Sequence, residues 1–204
     1  MWHMAKYSSS PELDGALDTL YTRRQGLLGN NGQLRRSPET DDYIWAGVDV
    51  FRQLIRGIPV KTMRTIANII AEEDVSNIYP EIRPRLDAVH EAGDLLMIVS
   101  AAPRMLIAPL AKRLGAAAAT GANYYRQGSV MHRWRPNSEL PDKGQVAQRL
   151  AQKFDATLFA AYGDSRSDKP MLSIATHPYA VNPTADLRTE AIERAWAIID
   201  CAHP

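Results

Sequence analysis

From Tyr79 to the end of this chain, short apolar runs alternate with helical patterns. That rhythm predicts an α/β fold: a Rossmann-like parallel sheet with helices on both faces. One apolar run, Thr157-Leu158-Phe159-Ala160-Ala161, passes directly into Tyr162-Gly163-Asp164-Ser165-Arg166-Ser167-Asp168-Lys169-Pro170-Met171-Leu172. An apolar run followed by glycine and an acid marks the carboxyl end of a buried strand, where doubly wound proteins place their ligands. Two carboxylates four residues apart at one strand tip suit a divalent cation, since magnesium takes hard oxygen ligands and keeps some of its waters. The same segment also reads as a helix start capped by Asp164 or Ser165, so it cannot decide between structure and chemistry alone.

The first third is helical. Ser8-Ser9-Ser10-Pro11-Glu12 opens a helix with Leu13, Ala16, Leu17, Leu20 and Tyr21 at helical spacing, and Ser37-Pro38-Glu39 opens a second that carries Tyr43, Ile44, Val48, Phe51, Leu54 and Ile55 to Gly57. Pro59 starts a third, with Met63, Ile66, Ala67 and Ile70 on one face. A helix through Ile82, Leu86 and Val89 follows, then a strand over Asp94–Ser100 and a helix from Arg104 to Leu114. Ala116–Thr120 reads as a short strand, and Asn123–Met131, around Gln127-Gly128, as a hairpin or loop. The pattern closes with a helix over Lys143–Phe154, strands at Thr157–Ala161 and Tyr179–Val181, a helix over Ala185–Ala195 and a strand at Ala197–Ile199. The expected organisation is a core of residues 1–8 and 79–204 and an inserted helical cap over 9–78.

Composition excludes several classes. With 24 Lys+Arg against 23 Asp+Glu, the net charge of +1 gives no basic surplus for nucleic acid. No run approaches the roughly 20 apolar residues of a membrane span, so no membrane partner is expected. One cysteine, Cys201, forms no internal disulfide, and the expectation is a reducing compartment, the cytoplasm. Oligomeric state leaves no mark in the sequence. No Gly-x-Gly-x-x-Gly follows a strand, which argues against a nucleotide-binding dehydrogenase.

Three elements that could carry chemistry fall in order: Ser100 at the end of Leu-Met-Ile-Val, Lys143 at the head of a helix, and Asp164 with Asp168. A hydroxyl and amides at a helix start, a lysine and a metal-holding acid pair would together make a phosphate site. Ile98-Val99-Ser100-Ala101-Ala102-Pro103, Pro141-Asp142-Lys143-Gly144 and Gly163-Asp164-Ser165-x-x-Asp168-x-Pro170-Met171-Leu172 resemble the second, third and fourth motifs of the haloacid dehalogenase (HAD) superfamily, in its phosphoserine-phosphatase-like subgroup. Tyr179-Ala180-Val181-Asn182-Pro183, Asp186-Leu187-Arg188 and Trp196–Asp200 resemble the closing stretch of that subgroup. The resemblance implies a magnesium-dependent phosphatase acting on a small-molecule phosphate ester. It implies that Ser100, Ala101 and Lys143 hold the phosphoryl group, that Lys143 and Asp168 are catalytic, and that Asp164 binds Mg²⁺ directly with support from Asp168.

One motif departs from the family. Asp-x-Asp-x-Thr at the end of the first strand supplies the nucleophile and the acid for the leaving group, and no Asp-x-Asp occurs in the 204 residues. Glu12-Leu13-Asp14-Gly15-Ala16-Leu17 echoes its outline, but Tyr7-Ser8-Ser9-Ser10-Pro11 is no buried strand and Glu is one methylene longer than Asp. The preferred register instead sets Ser8-Ser9 and the segment from Tyr21 to Leu28 downstream of that motif, so the chain starts where the nucleophile strand should end. Two expectations follow: a phosphatase impaired in this chain, or an inactive relative that binds a phosphate ester or a protein partner. Arg35, Arg36, Tyr43, Trp45, Arg52 and Arg56 lie in the cap, where an arginine could meet a second anionic group. His132-Arg133-Trp134-Arg135 reads as a surface loop, and His90 and His177 as packing residues.

Overall fold

The computed structural model describes residues 55–134 and 142–202, together with Thr22. The two helices expected before Ile55 lie outside the described residues, as does any segment around Glu12. The chain divides into two compact units, one of residues up to Ile66 with Tyr124–Trp134, the other of Ala67–Asn123 and the residues from Arg135 onward.

In the first unit, β3 (Tyr124–Gln127) and β4 (Val130–Trp134) form an antiparallel hairpin, the one expected around Gln127-Gly128. The segment before α1 (Val60–Ser76) lies alongside it: Gly57 N–H donates to the Met131 carbonyl (2.9 Å), Met131 N–H to that of Ile58 (2.9 Å) and Val60 N–H to that of Ser129 (2.8 Å). Ile55, Met63, Ile66 and Met131 are almost fully buried there. Met63, Ile66, Ala67 and Ile70, the stripe read from helical spacing, are all buried in α1.

The second unit is the α/β part. After α2 (Arg83–Glu91) come β1 (Met97–Pro103), α3 (Arg104–Arg113) and β2 (Ala118–Ala122), and β1 and β2 pair in parallel. Then α4 (Lys143–Lys153), β5 (Ala160–Gly163), α5 (Lys169–Ile174), β6 (His177–Val181), α6 (Ala185–Glu193) and β7 (Ala197–Ile199) follow, the three strands parallel in the order β5-β6-β7. Among the described residues, the parallel strands thus form a two-stranded and a three-stranded sheet. The core of the latter is Ala161, Leu172, Ala180, Leu187 and Ala191, with Met171, Trp196 and Ile198 against it. Alanines on the strands let the larger leucines of α5 and α6 come close without leaving voids.

Helices match the sequence reading within a residue or two, but three strands start later than expected, β2 at Ala118 rather than Ala116 among them. β1 begins at Met97 and runs past Ser100 to Pro103, with its register to β2 broken between Val99 and Pro103. β5 begins at Ala160, because Phe159 N–H turns back onto the Thr157 carbonyl (3.1 Å) and its exposed ring meets His177 edge-on at 4.5 Å. Tyr162 and Tyr179, opposite each other on β5 and β6, stack with ring centroids 4.7 Å apart, and the Arg85 guanidinium of α2 sits 4.7 Å above the Tyr179 ring. This stack ties the end of β5 to its neighbour one residue before Gly163. Leu187 is fully buried, so Leu187→Ala should cost about 2–5 kcal/mol in urea unfolding, with m unchanged.

Candidate active site

The site is built where β5 ends. Gly163 closes the strand, and a side chain there would place its Cβ 2.4 Å from Asp168 Cβ and 2.8 Å from its Cγ. Only glycine lets the chain curl back so that Asp168 lies over the strand tip. The turn between them is a short 3₁₀ helix, Arg166–Asp168, with Ser165 as its N-cap in a capping box with Asp168. One carboxylate oxygen of Asp168, Oδ2, accepts from the amides of Asp164 and Ser165 and from Ser165 Oγ, each at 3.0 Å. The other, Oδ1, accepts from Lys143 Nζ at 2.5 Å.

Lys143 arrives from 25 residues away in sequence. Its helix is capped by Asp142, whose carboxylate accepts the Gln145 amide (3.1 Å), and it buries Gly144, Ala147 and Ala151 on one stripe. The small residues matter most at the head of the helix, where a Cβ on Gly144 would fall 2.7 Å from the Pro170 carbonyl oxygen. That close approach of α4 to α5 carries Lys143 to Asp168.

The two carboxylates differ. Asp168 is 4% exposed. Burial alone would raise its carboxyl, but the hydrogen bond and charge of Lys143, with the amides of Ser165 and Asp164, outweigh that and hold it below the ordinary carboxylate value. Asp164 reaches solvent, yet the surrounding protein, then the charge and hydrogen bonding of Asp168, push its carboxyl above the ordinary value against the smaller opposing pull of Lys143. Its backbone is fixed from the other side, where the Thr184 amide donates to the Asp164 carbonyl (2.9 Å).

Ser100 and Ala101 lie on β1, the strand against which α4 packs. Ser100 is inside the strand rather than at its end, and its Oγ accepts the Ala102 amide (3.1 Å); Pro103, not Ser100, occupies the N-cap position of α3. Among the described residues no group of three or more His, Cys, Asp or Glu gathers as a metal cluster. The donors present fit a hard cation through Asp164, an exposed carboxylate whose ionisation a cation would favour, while both oxygens of Asp168 are engaged. Of the other candidates, Arg56 is exposed, His177 packs on Phe159, and His90 lies under Gly115. Arg35, Arg36, Tyr43, Trp45, Arg52 and Arg135 are outside the described residues. Sequence reasoning missed Thr184 as the clamp on Asp164, and no spacing rule signals it. The Ser-x-x-Asp of a capping box could have pointed to the Ser165–Asp168 bond.

The tip of β5 thus brings together the buried Asp168, the partly exposed Lys143 paired with it, and the exposed carboxylate of Asp164. The sequence profile of haloacid dehalogenase-like hydrolases matches residues 42–173, and the chain belongs to that family. It is 33% identical over 193 residues to the inhibition of morphological differentiation protein of Streptomyces azureus, covering 88% of this chain and 70% of that one. It is 28% identical over 148 residues to a histidinol-phosphatase of Neisseria meningitidis, covering 64% of this chain and 63% of the enzyme. A substrate-bound phosphoserine phosphatase shares the fold, with a TM-score of 0.58 at 14% identity over 94% of this chain and 84% of that one. The expected superfamily and α/β fold are therefore the observed ones. No helix among the described residues is long and apolar enough to cross a membrane.

The opposite shifts of the two acids predict opposite responses. Because the Asp168 pKa is depressed by folding, its stabilisation is present above the ordinary carboxylate value and is lost as pH falls through the folded value. In metal-free protein, Asp168→Ala should therefore destabilise by roughly 3 kcal/mol at neutral pH, by stranding Lys143, and by much less in acid. For Asp164 the sign reverses, since a raised pKa makes its ionised form a cost to folding. Asp164→Asn should raise the neutral-pH melting temperature of metal-free protein, and an equal or lower value would refute that account.

Proposed function

We propose that this chain is a phosphomonoester hydrolase that uses magnesium and acts on a small phosphorylated metabolite, with turnover impaired in these 204 residues because they contain no Asp-x-Asp. The observation that carries the reading is the 2.5 Å contact between Lys143 Nζ and Asp168 Oδ1, which unites two stretches resembling separate family motifs at one strand tip. In this reading Asp168 positions Lys143, whose ammonium offers its remaining donors to phosphoryl oxygens. Ser100 and the amides around Ala101 hold the other side of the phosphoryl group, and Asp164 is the direct carboxylate to Mg²⁺, with Asp168 supporting it through the loop amides. Magnesium, when bound, neutralises charge on the phosphoryl oxygens. The likeness to the Neisseria histidinol-phosphatase and to the phosphoserine phosphatase supports a phosphate ester as substrate. Residues 9–78, which the sequence pattern reads as a helical cap, select the substrate in this reading, and the single Cys201 suits a cytoplasmic location.

A second reading, an inactive relative that binds a phosphate ester or a protein, rests on the same missing carboxylate. In this reading Ser100, Lys143, Asp164 and Asp168 position and neutralise a phosphoryl group and none is the nucleophile, since the covalent route of the family starts from the first-motif aspartate. Hydrolysis of p-nitrophenyl phosphate with Mg²⁺ should thus run near background. Vanadate should still raise the melting temperature, and Lys143→Ala should lose most of that rise. Robust turnover that Glu12→Gln abolishes would overturn the impaired reading and make Glu12 the nucleophile. Turnover that survives Glu12→Gln but requires Asp164 would point to attack by metal-activated water.

A further inference from the structure

A cavity of about 540 Å³ lies along β2 and is lined by the consecutive residues Ala117–Gly121, by Arg104 and Asn123, and by Leu150, Lys153 and Phe154 of the α4 end. Such a volume is in the usual range for a small-molecule pocket, roughly 300–1,000 Å³. Its lining holds two cations and no acid. Among the described residues neither cation is paired with a carboxylate, although Lys153 Nζ lies 5.7 Å from the centre of the Phe154 ring.

Topology puts the two cations at opposite ends. Pro103 pairs with Ala122 at the far end of β2, so Arg104, the next residue, stands where the strand finishes. α4 starts at the β5 tip, where Lys143 meets Asp168, so Lys153, its last residue, stands about 15 Å further along the helix (ten steps of roughly 1.5 Å) and lines the cavity together with Ala117, which precedes β2. The strand segment between spans about 13 Å, four steps of roughly 3.3 Å. Leu150 and Phe154 supply half-buried apolar surface along the way, and the Thr120 hydroxyl and the exposed Asn123 amide add polar partners.

We propose that this trough is a binding site for an elongated dianion: a small molecule with an apolar middle and an anionic group at each end, one for Arg104 and one for Lys153. The proposal does not rest on the phosphatase reading, because no residue assigned to that site lines the trough.

The test is a calorimetric and ¹⁵N–¹H shift titration of the full chain with linear dicarboxylates of increasing length, glutarate, suberate and sebacate, with octanoate as the single-charge control. Suberate or sebacate should bind best and move the amides of Ala118–Asn123 and Lys153. Glutarate and octanoate should bind about two- to fivefold more weakly, the factor an exposed ion pair supplies. Arg104→Gln and Lys153→Gln should each bring sebacate down to the octanoate level, Arg104→Lys should restore it, and salt should erase the difference. Circular dichroism of each variant checks its fold. Asp164→Asn should leave dicarboxylate binding unchanged, which keeps a failure here distinct from a failure of the phosphatase reading. Equal binding of sebacate and octanoate, shifts confined to the β5 tip, or indifference to both glutamine substitutions would overturn the proposal.

Discussion

A carboxylate buried to 4% exposure must be answered on every side, and the tip of β5 is arranged around that requirement for Asp168. Three donors of its own loop meet one oxygen and Lys143 meets the other. Each neighbour is constrained in turn. Gly163 must lack a side chain for Asp168 to curl back, and Gly144 must lack one for α4 to approach α5 closely enough to deliver the lysine. The pair is only partly closed to water, with the Lys143 side chain 18% exposed, so the ammonium is held by Asp168 yet can still meet a ligand.

Holding Asp168 this tightly divides the work between two acids that look equivalent in sequence. Asp168 has no oxygen lone of a partner and acts as scaffold. Asp164, one residue past Gly163, reaches solvent and carries the cost of ionising beside it. A cation beside Asp164 would remove that cost, so the two acids carry opposite burdens four residues apart. The clamp from the Thr184 amide to the Asp164 carbonyl keeps the backbone in place while the side chain remains available.

How far this was legible in the sequence depends on the range of the interaction. Local signals carried well: the stripe of Met63, Ile66, Ala67 and Ile70 and the head of α4 at Lys143 are where helical spacing and capping put them. Strand starts carried poorly, since Leu95 and Phe159 continue an apolar run yet are 46% and 60% exposed, and apolarity does not mark where ladder pairing begins. Ser100 read as a strand end because the strand's last residues, Ala101-Ala102-Pro103, have no strand signature of their own. The joining of Lys143 to Asp168 is a tertiary contact that spacing alone cannot give; the family resemblance, not periodicity, grouped those residues. The trough beside β2 had no signal at all, because its cations belong to different helices and meet only through topology.

Among the described residues, the strand bearing Ser100 and the strand that leads into Asp164 belong to separate parallel sheets. What relates them is α4, which packs on β1 along its body and reaches the β5 tip through Lys143. Placement of Lys143 beside β1 and the β5 tip therefore depends on helix packing and one ion pair, and neither needs a nucleophile to form. Charge neutralisation and covalent attack are separable demands in phosphoryl transfer, the first met by preorganised donors and the second by a single carboxylate. A chain without Asp-x-Asp can accordingly retain a complete reason to keep Lys143, Asp168 and their glycines, because the buried charge at the strand tip must be satisfied whether or not a phosphoryl group is ever transferred there.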